Sequence, residues 1–233
     1  MTAMIDTILK FHLQPEDRYI YGFANLRGLL DPKFDGYGFG ISIGRKLDDS
    51  IIDSITEGPT PEYYDHYRNI NTELAEVSLK IQGDLAVNNI EALPIAPTVS
   101  TDELESVYFR TLRTDLSHKL VATRAGLGWI GKTDLLITRK FGPRLRLTSI
   151  LLKENPGNMN RPENKSRCGS CKICVEACPA GAASGRAWNA STDRNEFYDP
   201  WKCRNQCAEF GRTKLSADAR VCGICVAVCP VGR

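Results

Sequence analysis

The chain carries nine cysteines, and every one lies at or after position 168. Two runs organise them. The first is Cys168-x2-Cys171-x2-Cys174-x3-Cys178-Pro179, and the second is Cys222-x2-Cys225-x3-Cys229-Pro230. A secreted disulfide framework would spread an even number of cysteines through a small chain. Thiols clustered this way point to metal ligation instead. Three thiolates two residues apart can wrap three corners of one iron–sulfur cubane. The cysteine one helical turn further on points away, and in two-cluster ferredoxins it serves the other cluster. The proline after it turns the chain aside.

That crossing gives a first [4Fe–4S] cluster the ligands Cys168, Cys171, Cys174 and Cys229. A second receives Cys178, Cys222 and Cys225 and lacks a fourth. Cys203 and Cys207 remain. Asp199-Pro200 has the form of a helix N-cap followed by proline at the first helical position, so both lie on one helix ending near Gly211. At a spacing of four they share a face, and either reaches the second cluster. Zinc is the competing reading, but zinc sites pair two CxxC units per ion, whereas here one run carries four cysteines ending in Cys-Pro and the second run ends the same way.

A ferredoxin-like unit needs only the last quarter of the chain, so the residues before it have a separate task. Glu154 to Arg167 holds two prolines, a glycine and four asparagines with no apolar period, and reads as a linker. The expected organisation is a cysteine-free domain over residues 1–153, binding a cofactor or substrate, and a linker plus two-cluster domain over 154–233. The first domain mixes helices and strands. Tyr37, Phe39, Ile41 and Ile43 alternate with small residues, as in a strand. Tyr63, Tyr67, Ile70, Leu74, Val77 and Ile81 recur at three and four, one face of a helix over Pro61 to Val87 with Thr60 as cap. Ile90 to Ala96 is expected to be a strand. Leu135 to Thr138 and Leu145 to Leu152 read as the two strands of a hairpin around Phe141-Gly142-Pro143-Arg144. The fold class expected is therefore an α/β or α+β sheet domain followed by a ferredoxin-like two-cluster domain.

Net charge is +2, so the chain is no polycation built for nucleic acid. No apolar run reaches the ~18 residues of a membrane span. Met1 to Gln14 reads as an amphipathic helix without the features of a signal peptide, and a cytoplasmic protein is expected. Lys132, Arg139, Lys140, Arg144 and Arg146 bring positive charge to the expected hairpin. Such a run is either a solvated strand face or a dock for an acidic partner.

One further stretch stands out: Ser117 to Ala125, with Ser117 capping a helix, then Gly126-Leu127-Gly128-Trp129-Ile130-Gly131-Lys132 and an apolar strand. Three glycines in six residues let backbone approach a ligand closely. Trp129 can cover a flat cofactor, and Lys132 can meet a phosphate. A plainer reading is a helix C-cap followed by a tight turn into a strand.

Ala125-Gly126-Leu127-Gly128-Trp129-Ile130-Gly131-Lys132, the two cysteine runs and the lone cysteine between them together resemble the epoxyqueuosine reductase family, whose wider relatives include the reductive dehalogenases. The resemblance is good over roughly residues 115–233 and weaker before. It implies a cobalamin held between an N-terminal α/β domain and a two-cluster domain, with Gly126, Gly128, Trp129, Gly131 and Lys132 lining the corrin. In the family the lone cysteine follows an aspartate by four residues. Asp199 and Cys203 match, which implies Cys203 as the fourth ligand of cluster two and Cys207 as a spare buried thiol. It also implies a catalytic acid, for which Asp65 in Tyr64-Asp65-His66-Tyr67 is the nearest match. The family continues past the second motif, often into tRNA-binding repeats. This sequence ends at Arg233, as in a short branch without that extension.

The function expected is an iron–sulfur oxidoreductase. A reduced ferredoxin or flavodoxin type donor loads the clusters, and single electrons pass to cobalamin or a small-molecule substrate at the domain junction. The alternative is an electron-transfer protein that reduces a separate enzyme or corrinoid protein. A weaker one is epoxyqueuosine reduction on tRNA. Membrane partners are not expected. His12, His66 and His118 are the three histidines, and His118, near the helix N-cap, is expected to be structural.

Overall fold

The computed structural model describes residues 1–99, 104 and 106–232. In chain order its elements are α1 (Thr2–His12), β1 (Tyr19–Asn25), β2 (Phe39–Lys46), α2 (Asp49–Asp53), α3 (Pro61–Val87), β3 (Ala92–Ile95), α4 (Ser106–Thr111), α5 (His118–Arg124), β4 (Gly128–Ile130), β5 (Leu136–Thr138), β6 (Leu145–Leu152), α6 (Ile173–Glu176), α7 (Pro200–Lys214) and α8 (Ile224–Ala227). They divide into two compact units. One comprises Met1–Lys46, Ile70–Leu127 and Arg146–Glu163; the other comprises Leu47–Asn69, Gly128–Leu145 and Asn164–Arg233.

The first unit is built on a four-stranded sheet of order β1-β2-β6-β3. β1 pairs antiparallel with β2, and β3 antiparallel with β6. β2 is an interior strand, and seven of its eight residues are buried. Ile41 and Ile43 there are wholly enclosed. On α3, Ile70, Leu74, Val77, Ile81 and Leu85 are all buried at helical spacing. Each contributes about 1.5–3 kcal/mol by leaving water, so the stripe secures a helix whose other faces are polar. Val121 and Ala125 of α5 join Ala24, Leu26, Phe34, Leu116 and Leu151 in one apolar cluster. The architecture is α+β, as one of the two expected fold classes has it.

The second unit gathers the cysteine-bearing segments around the two-stranded hairpin β4-β5, in which Trp129 faces Ile137. The two cysteine runs repeat in structure as well as sequence. Ile173-Cys174-Val175-Glu176 and Ile224-Cys225-Val226-Ala227 each form one short helical turn, α6 and α8, and the two turns pack together. Asp199 caps α7 by accepting the backbone N–H groups of Trp201 and Lys202, with Pro200 following it.

One expectation changes. The strands 136–138 and 145–152 exist, but they do not form a hairpin. β5 pairs with β4, across a turn closed by Gly131 N–H to Leu135 O at 2.8 Å, while β6 joins the larger sheet. The compact units are not consecutive in sequence: Leu47–Asn69 and Gly128–Leu145 group with Asn164–Arg233. The hairpin 128–138 packs with the cysteine segments, because Trp129 and Ile137 share an apolar cluster with Cys229, Cys168 and Trp188. The stretch read as a linker is tied down at Glu163, whose N–H donates to Thr123 O at 2.9 Å.

Candidate metal centre

The structure brings the cysteines together in the two sets that the crossing requires. Cys229 lies among Cys174, Cys168 and Cys171, and their sulfurs add to the effect of burial in pushing its thiol up. Cys174 responds in the same way, to burial first and then to Cys168 and Cys171. In the other set, burial pushes Cys222 up to about 11, with Cys203 and Cys178 adding to the shift. Cys225 is pushed up by burial and by Cys222 and Cys203. Cys178 thus sits with the second run, and Cys229 with the first. Crowded thiols resist losing their protons together. Iron compensates the thiolate charge, which is how such a site binds a cluster and releases protons on loading.

Cys203 is half-buried and Cys207 buried, with the two sulfurs 3.9 Å apart, and both lie close to Cys222 and Cys225. The contact with Cys203, followed by burial, raises the Cys207 thiol. Among the described residues no group of three or more His, Cys, Asp or Glu side chains is placed to hold a single metal ion. A cubane is larger than an ion and takes its thiolates at separate corners.

The glycine-rich stretch serves the fold directly. Leu127 N–H donates to Ala122 O at 3.0 Å and Gly126 N–H to Thr123 O at 3.2 Å. This is the Schellman end of α5, with Gly126 in the left-handed region at φ +71°. A Cβ on Gly128 would lie 2.2 Å from Ile137 O, and one on Gly131 would lie 2.9 Å from the Ile137 side chain. Both glycines let the two strands of the hairpin close. Trp129 is 5% exposed, and its indole N–H donates to Cys168 Sγ at 3.4 Å. Lys132 is 4% exposed, and its ammonium donates to Gly169 O at 2.9 Å and Cys171 O at 2.8 Å. The Cβ positions of the three glycines face this chain, and the Trp129 and Lys132 side chains bond to the loop of the first run.

Asp65 lies exposed on α3, away from the buried stripe. Its neighbour His66 accepts the Asp48 N–H at Nε2, 3.1 Å away. His118 donates from Nε2 to Ala96 O and bonds through Nδ1 to Ser149 Oγ, both at 2.9 Å, and burial pushes its pKa down to about 4. His12 bonds to Asp84 at 2.7 Å. The basic run is not one patch. Lys132 and Arg144 are buried, and Arg144 is paired with Asp49 at 2.9 Å and Asp53 at 2.5 Å. Arg146 donates to Asn71.

Two site residues have no signal in the sequence. Thr133, 6% exposed, places its hydroxyl in hydrogen-bonding contact with Cys174 and with Cys225, one thiol from each set. Tyr198 places its hydroxyl against Cys203, and burial and that thiol together push its pKa up. A threonine in a turn and a tyrosine before a helix cap are too common to mark a site without the geometry.

Residues 167–232 match the family model described as a 4Fe-4S double cluster binding domain. An epoxyqueuosine reductase of Listeria monocytogenes is 31% identical over 152 residues, 61% of this chain and 37% of that protein. A tetrachloroethene reductive dehalogenase of Dehalobacter restrictus is 33% identical over 119 residues, 47% of this chain and 21% of that protein. A solved reductive dehalogenase, described as suggesting a mechanism for B12-dependent dehalogenation, shares the fold at TM-score 0.63 and 14% identity, over 92% of this chain and 30% of that one. The chain thus spans well under two thirds of the length of each of these proteins. Among the described residues, no helix is long and apolar enough to cross a membrane. With two cysteine sets in its second unit, the chain carries a domain for two [4Fe–4S] clusters over residues 167–232 and is similar to epoxyqueuosine reductases and reductive dehalogenases.

Proposed function

We propose that this protein is a reductase that receives electrons one at a time and passes them through its two clusters to an acceptor. The observation that carries the reading is the crossed pair of cysteine sets. Cys229 sits with Cys168, Cys171 and Cys174, and Cys178 with Cys222, Cys225 and Cys203. Each run then supplies a ligand to the other's cluster, which fixes the two close together. Thr133, in contact with one thiol of each set, spans them. Such a pair conducts single electrons, and its potentials follow from burial, charge and hydrogen bonds to sulfur. The donor is a reduced ferredoxin or flavodoxin type protein.

The acceptor proposed is cobalamin, on the strength of the B12-dependent relative. When bound, it would supply a cobalt centre that takes up electrons from the clusters. Cobalamin would have to be held through contacts other than the side chains of Trp129 and Lys132. Those two groups are committed to the loop of the first run, which favours a second reading, an electron-transfer protein that serves a separate acceptor. Asp65, exposed on α3, is the acid proposed if a substrate is reduced on this chain. Epoxyqueuosine in tRNA and a halogenated small molecule are the substrate classes the relatives suggest.

Anaerobic reconstitution separates these readings. Iron and acid-labile sulfide at about eight each per chain, with a cluster signal in electron paramagnetic resonance after reduction, establish the relay. Zinc in their place sinks it. Cobalamin added in slight excess and run through gel filtration either travels with the protein, as the reductase reading requires, or elutes apart, as the electron-transfer reading requires.

A further inference from the structure

The hairpin β4-β5 lies outside both cysteine runs, yet its groups close over the first of them. Lys132 is the group most in need of explanation. Its ammonium is buried, and neither of its two hydrogen-bond partners is a carboxylate. Burying an unpaired charge is costly, and buried charges are accordingly paired. The carbonyls of Gly169 and Cys171 orient the ammonium but do not neutralise it. They belong to the loop that joins Cys168 to Cys171, so the anion that compensates Lys132 is the cluster which that loop carries.

We propose that Lys132, seconded by Trp129, sets the potential of the cluster held by Cys168, Cys171, Cys174 and Cys229, making it the more easily reduced of the two. The cluster gains a negative charge on reduction. A fixed cation beside it stabilises the reduced form more than the oxidised one, strongly so where water is excluded. The Trp129 N–H on Cys168 Sγ acts in the same sense, since a hydrogen bond to sulfur draws off its charge. The donors described on the other set are neutral: the Tyr198 hydroxyl on Cys203, the Thr133 hydroxyl on Cys225 and the Ile224 N–H on Cys222. Electrons entering the pair then come to rest on the first cluster, and flow runs from the second to the first. Lys132 and Trp129 are positioning residues in this scheme, acting through the cluster and touching no substrate.

The inference rests on the ligand sets of the preceding section, and the test keeps the two apart. Reconstituted wild type, Lys132→Gln, Lys132→Arg, Trp129→Phe and the exposed control Arg139→Gln are titrated with dithionite and followed by electron paramagnetic resonance, with iron counted in each. The step belonging to the first cluster is the one that survives in Cys203→Ser. In Lys132→Gln the reduced-to-oxidised ratio of that step at fixed poise should fall about tenfold, equal to about 59 mV for one electron. Lys132→Arg and Arg139→Gln should hold it, and Trp129→Phe should lower it about twofold. The second step should stay in place throughout. An unmoved first step at full iron content overturns the inference and leaves the relay standing, while absence of clusters from the wild type overturns the ligand reading itself. Should Lys132→Gln fail to retain the first cluster, Trp129→Phe decides. A lowered first step supports the inference, and an unmoved one overturns it.

Discussion

Cys174 and Cys225 occupy equivalent places in two nearly identical helical turns, Ile-Cys-Val-Glu and Ile-Cys-Val-Ala, yet their neighbourhoods are built differently. Around the first run the support comes from the hairpin β4-β5, some 30 residues or more away in sequence (on the order of a βαβ unit in length). It supplies an indole N–H and a buried ammonium. Around the second the support comes from the segment between the runs. There Tyr198 brings a phenol, and α7 brings Cys203 and Cys207. A duplicated motif thus specifies where sulfur goes, while unrelated segments specify the charge around it. Symmetric ligation with asymmetric surroundings is how one small fold makes two clusters unlike.

The largest break in that comparison is at Cys203. Cys203→Ser should lower iron from about eight to about four per chain, since the second set is left with Cys178, Cys222 and Cys225. Cys207→Ser should keep the full count, because Cys203, four residues after Asp199, is the proposed fourth ligand. Iron assay with electron paramagnetic resonance on both proteins reads the difference. The reverse pattern would make Cys207 the ligand and Cys203 the spare.

Next in size is Gly128→Ala, which acts on one side only. The added Cβ would fall 2.2 Å from Ile137 O, a backbone atom that cannot step aside. Opening the hairpin should cost about 3 kcal/mol. It also displaces Trp129 from Cys168, so the first cluster should become labile before the second. Loss of iron in steps during slow chelation reads the order, and simultaneous loss of both halves would show that the hairpin supports them equally.

Arg144→Ala should instead hit both clusters alike. Arg144 is 1% exposed and donates to Asp49, to Asp53 and to Ala227 O at 3.3 Å. Ala227 lies between Cys225 and Cys229, one ligand of each set. The two carboxylates are themselves half in water, so their pairing is discounted for solvent. The loss expected is about 2 kcal/mol, from hydrogen bonds to a charged group and the packing of its stem. Chemical denaturation measures it, and a first-cluster-only defect would break the symmetry claimed for α8.

How much of this was legible in the residues depends on what kind of signal carried it. The cysteine spacing and the terminal crossing are local and chemical, so they define the first set and three members of the second, while the fourth, Cys203, is what the family resemblance implies. The stripe on α3 was equally plain, since five apolar residues at helical spacing have no other use. The hairpin was misread because Leu145 to Leu152 is an apolar run that alternates no better with β5 than with the larger sheet, and Phe141-Gly142-Pro143-Arg144 offers the turn chemistry of a hairpin without being one. Lys132 was legible as a cation beside glycines. Its charge suggested a phosphate, whereas its burial, which only packing shows, points it at the loop of Cys168 and Cys171. The plainer reading of Gly126, a helix C-cap, is the one its φ and hydrogen bonds support.

The smallest effect belongs to the first unit and sharpens the comparison by leaving both clusters alone. His118 is held by Ser149 and Ala96 O, and burial first, with Arg146 adding to it, pushes its pKa down to about 4. In the unfolded chain it returns to about 6.5. A base whose folded pKa is depressed is held neutral by the fold. Its contribution is whole above about pH 6.5 and is lost as pH falls from there towards 4, on the order of 2 kcal/mol across the window. Glutamine at this position keeps a donor for Ala96 O and an acceptor for Ser149 but does not titrate. His118→Gln should therefore show a shallower fall of urea midpoint with acid than the wild type. Carboxylates titrate equally in both proteins, so the difference between the two curves isolates the imidazole. At pH 7.5 the iron content and the two reduction steps should match the wild type. A shift of either step would show that the cysteine sets depend on the sheet unit through α5, and the contrast drawn above, in which each cluster takes its character from residues of the second unit alone, would have to be widened to include it.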